Sequence, residues 1–130
     1  SSVALVHGMS RPIGAFYHVP HGLSNAMLLP TVTEFSLPSA TKRYADCSRA
    51  MGVALSEDND EIANQKLLSE LVAINEELNV PTPKEFGINE TDFMNNLEVM
   101  AKQAIASGSP GNNPRVPEVS EIIDIYKLLW

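Results

Sequence analysis

Apolar residues in this chain recur at helical spacing almost from end to end, and nowhere do they sustain the strict alternation of a half-buried strand. That pattern predicts an all-α fold, a bundle of about six helices. Nine prolines and seven glycines punctuate it. Residues 1 to about 9 read as the tail of a helix, and the Pro12 and Gly14 region after Met9 reads as a turn. A second helix is expected from His21 or Gly22 to about Ser36, bent at Pro30, which has no N–H to give to the turn before it. From Ser39 to Met51, Ala40, Tyr44, Cys47 and Met51 fall on one face, with Gly52 as the stop. Asp58 followed by Glu61 resembles a capping box and opens a helix to about Leu78, burying Ile62, Leu67, Leu68, Leu71, Ile74 and Leu78. Pro81 and Pro83 end it. Asn89 caps the next, with Asp92 in its first turn and Phe93, Leu97, Met100, Ala101, Ala104 and Ile105 inward. Residues 107–114 have loop chemistry. The last helix runs from Pro117 to about Leu129, with Val119, Ile122, Ile123, Tyr126 and Leu129 facing the core.

The 130 residues suit one domain. Sixteen acidic against nine basic residues give a net charge of −7. A surface of that sign lacks the concentrated positive charge that nucleic acids and anionic membranes select. No apolar run approaches the ~18 residues of a membrane span, and no basic region precedes an apolar stretch as in a signal peptide. Cys47 is the only cysteine. It can form no internal disulfide, which fits a reducing cytoplasm, and at an apolar helical position it is expected in the core.

Chemistry concentrates near the start. His7 and His21 lie fourteen residues apart on either side of a proposed helix–loop–helix corner. Such a corner lets two imidazoles converge on one divalent metal, and neutral imidazole is a common ligand for Fe and Zn. Spacing alone favours the plainer reading, two capping or packed histidines. His18, three residues before His21, has the choice of the same pocket, solvent or a backbone acceptor. Gly14 and Gly22 are expected to serve backbone geometry. No glycine-rich phosphate loop is present.

The residues around the pair carry more. Val6-His7-Gly8-Met9, Pro12-Ile13-Gly14-Ala15-Phe16-Tyr17, Pro20-His21-Gly22 and Asn25-Ala26-Met27-Leu28-Leu29-Pro30 resemble the iron-containing (group III) alcohol dehydrogenases, which include lactaldehyde reductase and 1,3-propanediol dehydrogenase. The likeness continues through Arg43-Tyr44-Ala45, Arg49-Ala50-Met51-Gly52-Val53 and Val80-Pro81 to Asn113-Pro114-Arg115 and the closing helix with Tyr126 and Trp130. It therefore covers essentially the whole chain.

The resemblance implies the C-terminal helical domain of a dehydroquinate-synthase-like, two-domain enzyme. His7 and His21 would be two of its metal ligands, with an Asp and a His supplied upstream. The cofactors would be Fe2+ (Zn2+ or another divalent ion being alternatives) and NAD or NADP, the nucleotide held by an N-terminal domain absent from this sequence. The parent would interconvert alcohols with aldehydes or ketones, and relatives assemble as homo-oligomers. On that reading the chain is a fragment, inactive by itself, and its truncated first helix should leave apolar surface uncovered. A non-catalytic helical interaction module that kept the family sequence is the rival.

One departure from the family stands out. Many members have a histidine where this chain has Arg11, near the nicotinamide and the substrate. A guanidinium stays protonated and cannot relay a proton, but it binds carboxylate or phosphate in fork geometry. Arg11 is thus either a substrate contact with altered preference or an ion-pair partner. Phe16 and His18 are the further candidates for the substrate pocket. Asn113-Pro114-Arg115 reads as a structural turn and ion pair.

Overall fold

The computed structural model describes residues 4–130. They form seven α-helices and two short 3-10 turns, with no strand among the described residues. The helices are α1 (Leu5–Tyr17), α2 (His21–Ser36), α3 (Thr41–Ala50), α4 (Asp60–Glu77), α5 (Pro83–Phe86), α6 (Glu90–Ala106) and α7 (Val119–Leu128). Six of them are substantial and α5 is a single turn, so the all-α expectation holds.

α1 lies at the centre. Its Leu5, Met9 and Ile13 are fully buried and meet Met27, Leu28 and Val32 of α2, Phe93, Leu97 and Met100 of α6, and Ile122, Ile125 and Tyr126 of α7. These apolar residues are covered by the chain itself, while Phe16 near the end of α1 stays exposed. A second, smaller cluster of Ala45, Ala54 and Ala63 joins α3 to α4. Small side chains bring the backbones there close enough for Ser48 Oγ to donate to the Ala63 carbonyl at 2.8 Å.

The largest correction concerns α1. The expected turn after Met9 is helix: α1 continues through Pro12 and Gly14 to Tyr17. The first three residues of the proposed helix lie outside the described residues. Pro12 removes one N–H, but with Met9 and Ile13 buried on either side of it, packing outweighs the local penalty. α2 keeps Pro30 inside it, as expected.

Other expectations shift by a face or a residue. In α3 the inward residues are Ala45 and Ser48; Cys47 is exposed, and so is Met51 at 56%. Apolarity misled here because α3 packs through small side chains, leaving the larger ones outside. Gly52 does adopt the left-handed conformation, φ +75°, just past the helix end. The cap of α4 is Asn59, which accepts from the Ile62 N–H at 2.9 Å. Asp58 instead accepts from the Leu55 N–H and from Lys66. In α4, Leu67 is buried, Leu68, Leu71 and Ile74 are half-buried and Ile62 is exposed, as is Leu78 just past the helix end.

α5 was not expected. Thr82 caps it and Glu85 answers in a reciprocal capping box, a Thr-x-x-Glu signal that was present in the sequence. α6 starts at its Asn89 cap as expected, although Ile105 is exposed. The loop after it contains a 3-10 turn, Ser109–Asn112. In α7, Ile125 joins the expected inward set. No described helix is long and apolar enough to cross a membrane.

Candidate metal centre

The corner between α1 and α2 consists of three residues, His18-Val19-Pro20. His18 ends α1 in the left-handed region at φ 58°, and its N–H returns to the Gly14 carbonyl at 2.9 Å. Val19 is buried and anchors the turn. A Cβ at Gly14 would lie 3.3 Å from the Val19 carbonyl, so glycine permits this close return. Gly22 has nothing within 4 Å of such an atom, and the fold makes no comparable demand there. Pro20 then fixes an extended entry into α2, and His21 becomes its first residue.

This corner turns the second helix back along the first. Ser24 Oγ donates to the His21 carbonyl at 3.0 Å and lies 3.5 Å from the Ser10 carbonyl of α1. The far end of α1 is fastened to α6, where Tyr17 Oη donates to the Asp92 carbonyl at 3.2 Å and accepts from Asn96 at the same distance. At mid-helix, Tyr126 Oη donates to the Met9 carbonyl at 2.6 Å. α1 is thus held along its length by its neighbours.

The result brings two of the sequence candidates together. The ring centroids of His7 and His21 are 5.9 Å apart, with their planes tilted at 44°. His7 Nδ1 is buried and has no hydrogen-bond partner among the described residues. His21 Nε2 lies 3.2 Å from Asn25 Nδ2, one turn further along α2. With Fe– or Zn–imidazole bonds of ~2.0–2.1 Å, two rings sharing one tetrahedral ion have centroids roughly 5 Å apart. The observed separation is close to that value. The donor chemistry fits a divalent transition-metal ion in part: two imidazoles converge, and no group of three or more His, Cys, Asp or Glu side chains suited to a metal occurs among the described residues.

The other candidates are placed differently. Arg11 is exposed one turn after His7, on the same side of α1. It makes no hydrogen bond or ion pair with the described residues. Phe16 is nine residues from His7, about half a turn round the helix, and therefore on its opposite side; it is 38% exposed and packs beside Tyr17. His18 is exposed at the corner itself. Asn25 was missed as a site residue. Its signal was the i,i+4 spacing from His21, which places two helical side chains side by side.

Asn113 and Arg115 lie away from this corner and play the structural parts expected of them. Asn113 is buried, donating to Ser36 Oγ at 2.7 Å and to the Arg115 carbonyl at 2.8 Å. Arg115 pairs with Glu121 at 2.5 Å and stacks over the Phe35 ring, 4.1 Å from its centroid.

Comparison with known sequences decides the family. The profile described as Fe-containing alcohol dehydrogenase family, C-terminal, matches residues 1–130. The chain belongs to that family. It is 32% identical over 129 residues to a lactaldehyde reductase of Escherichia coli (strain K12), covering 98% of this chain and 33% of that protein. It is 30% identical over 129 residues to an NADPH-dependent butanol dehydrogenase of Clostridium saccharobutylicum, again over 98% of this chain and 33% of the relative. Among solved structures, an alcohol dehydrogenase from Oenococcus oeni superimposes with a TM-score of 0.87 at 25% identity, over 100% of this chain and 33% of that one. The chain therefore spans about a third of the length of the relatives it matches, and its helices are those of the C-terminal part of an Fe-containing alcohol dehydrogenase.

Proposed function

We propose that this chain is the metal-carrying domain of an NAD- or NADP-linked alcohol dehydrogenase that interconverts alcohols with aldehydes or ketones by hydride transfer. The observation that carries the reading is the 5.9 Å approach of the His7 and His21 rings at a rigid corner. A bundle with no use for that corner gains nothing from bringing two imidazoles together with one ring nitrogen buried and unpartnered among the described residues. His7 and His21 would hold the ion, and the remaining ligands would come from a preceding segment, together with a nucleotide-binding domain. By itself the chain would then be inactive.

When bound, a divalent ion supplies a Lewis acid for the substrate oxygen. The chain's own part is to hold the two donors in place. His7 is fixed by the burial of α1 and His21 by the Val19–Pro20 turn. Preorganisation of this kind lowers the entropy lost on binding. Arg11 adds a fixed positive charge one turn from His7. It moves no proton at neutral pH, and its guanidinium is free to take an anionic or strongly polar group of the substrate in two hydrogen bonds. Its lack of a partner among the described residues favours this role over a structural ion pair.

Anaerobic Fe2+ or Zn2+ titration of the chain by calorimetry tests the site. We expect weak one-to-one binding, since two imidazoles make an incomplete set, and its loss in His7→Ala and His21→Ala with helical content unchanged. Binding that survives either substitution at wild-type affinity would refute the shared-ligand reading.

A further inference from the structure

We infer that Asn25 is a positioning residue that sets the tautomer of His21. Asn25 is half-buried one turn after His21, and its Nδ2 lies 3.2 Å from His21 Nε2. Its Oδ1 is buried and has no partner among the described residues. Two orientations of the amide are conceivable, and the cost of burial separates them. As placed, one acceptor is left unpaired. Turned over, the amide would put its oxygen against Nε2–H and bury an NH2 group, two unpaired donors, where the oxygen now lies. An unsatisfied buried polar group costs free energy for each missing partner, so the first orientation is favoured.

The consequence falls on the imidazole. With an amide N–H donating to it, His21 Nε2 must be the unprotonated nitrogen, and the ring proton must sit on Nδ1. A histidine without such a neighbour carries its proton mainly on Nε2 in water. Asn25 therefore reverses the ordinary preference and keeps the Nε2 lone pair free of a proton. The same contact fixes the ring's rotation at the start of α2. A cation entering the corner would meet an unprotonated Nε2 and would have only to displace one N–H donor. This last step rests on the reading of His21 as a ligand; the tautomer assignment does not.

Long-range 1H–15N NMR of the cation-free chain, read on the neutral His21 ring, tests the inference. His21→Ala identifies the resonance. The wild-type chain should show the Nδ1–H form. Asn25→Ala should move the tautomer ratio toward Nε2–H by about five-fold, the weight of one ordinary hydrogen bond. Asn25→Asp offers only acceptors and should drive the ring further to Nε2–H than Asn25→Ala does, a graded shift that a merely structural role would not produce. An unchanged tautomer in both variants would overturn the proposal. The readout needs no metal, so it can fail while the His7→Ala titration succeeds, or succeed while that titration fails.

Discussion

The side-chain amide of Asn75 donates to the Ala26 carbonyl at 2.8 Å. Ala26 is four residues before Pro30, so its carbonyl is the one that Pro30 leaves without a helical N–H. α4 thus restores from outside a hydrogen bond that α2 cannot make for itself, and α2 runs on from His21 to Ser36 without a break. Asn75→Ala should destabilise the chain by about 1–2 kcal/mol, since it leaves a part-buried acceptor unpaired. The decisive measurement is a double-mutant cycle by urea denaturation. In a Pro30→Ala background the helical N–H returns, and Asn75→Ala should cost markedly less. Strict additivity would show that the two residues are not coupled in this way.

α1 offers a second external support, with a pH signature. Tyr126 Oη donates to the Met9 carbonyl from inside the core, and burial pushes its phenol well above the ordinary value of 10.0. The folded pKa is raised, so the contribution is fully present below pH 10 and is lost as pH rises past the unfolded value, where the unfolded chain gives up a proton that the folded chain keeps. Stability should therefore fall from about pH 10 upward in the wild type. Tyr126→Phe should cost roughly 1–2 kcal/mol at neutral pH and show a shallower alkaline decline. Equal slopes above pH 10 would remove Tyr126 as the source.

These supports explain which parts of the fold could be read from the residues. α6 was legible because Asn89 and the Phe93-Leu97-Met100-Ala104 stripe agree with each other and with the bundle. The end of α1 was not. Pro12 and Gly14 are local breaking signals, and what overrides them is contact with residues far along the chain, on α6 and α7, as far as Tyr126 on the Met9 carbonyl. The buried face of α3 was misread for a related reason: it packs through Ala45 and Ser48, which carry little apolar weight in a sequence. At the corner, the His7 and His21 pair was legible from spacing and flanking residues, while their separation depended on a three-residue turn. Phe16 fell on the wrong side because its angle round α1 only has meaning once the helix is known to continue past Met9.

The glycines that follow His7 and His21 separate packing from propensity. In a helix interior, Gly→Ala ordinarily stabilises by roughly 0.5–1 kcal/mol. At Gly8 the new Cβ would lie 3.0 Å from Pro110 Cδ and 3.2 Å from the Ala104 carbonyl. Neither a proline ring nor a helical backbone yields easily, so Gly8→Ala should destabilise by about 1–3 kcal/mol. Gly22→Ala meets nothing within 4 Å and should be neutral or slightly stabilising. Melting temperatures of the two variants check this, and a rise for Gly8→Ala would mean that the Pro110 turn moves aside freely.

Arg11 turns the proposed site into a statement about substrate. The guanidinium is exposed one turn from His7 and has no partner among the described residues. If it binds substrate, the whole enzyme should favour alcohols that carry an anionic or strongly polar group, because a fixed fork of donors is matched by such a group and wasted on a simple alkyl chain. Arg11→His should then lower kcat/KM for the polar substrates and change it little for simple alcohols, shifting the ranking toward the latter. It should also introduce a titration near pH 6–7 in the pH–rate profile, since imidazole exchanges protons there and guanidinium does not. A structural ion pair would act otherwise, lowering the melting temperature while leaving the ranking of substrates unchanged. A short panel of alcohols, measured for kcat/KM on both forms of the whole protein, separates the two. An unchanged ranking together with reduced stability would defeat the substrate role of Arg11 and leave the His7–His21 pair untouched.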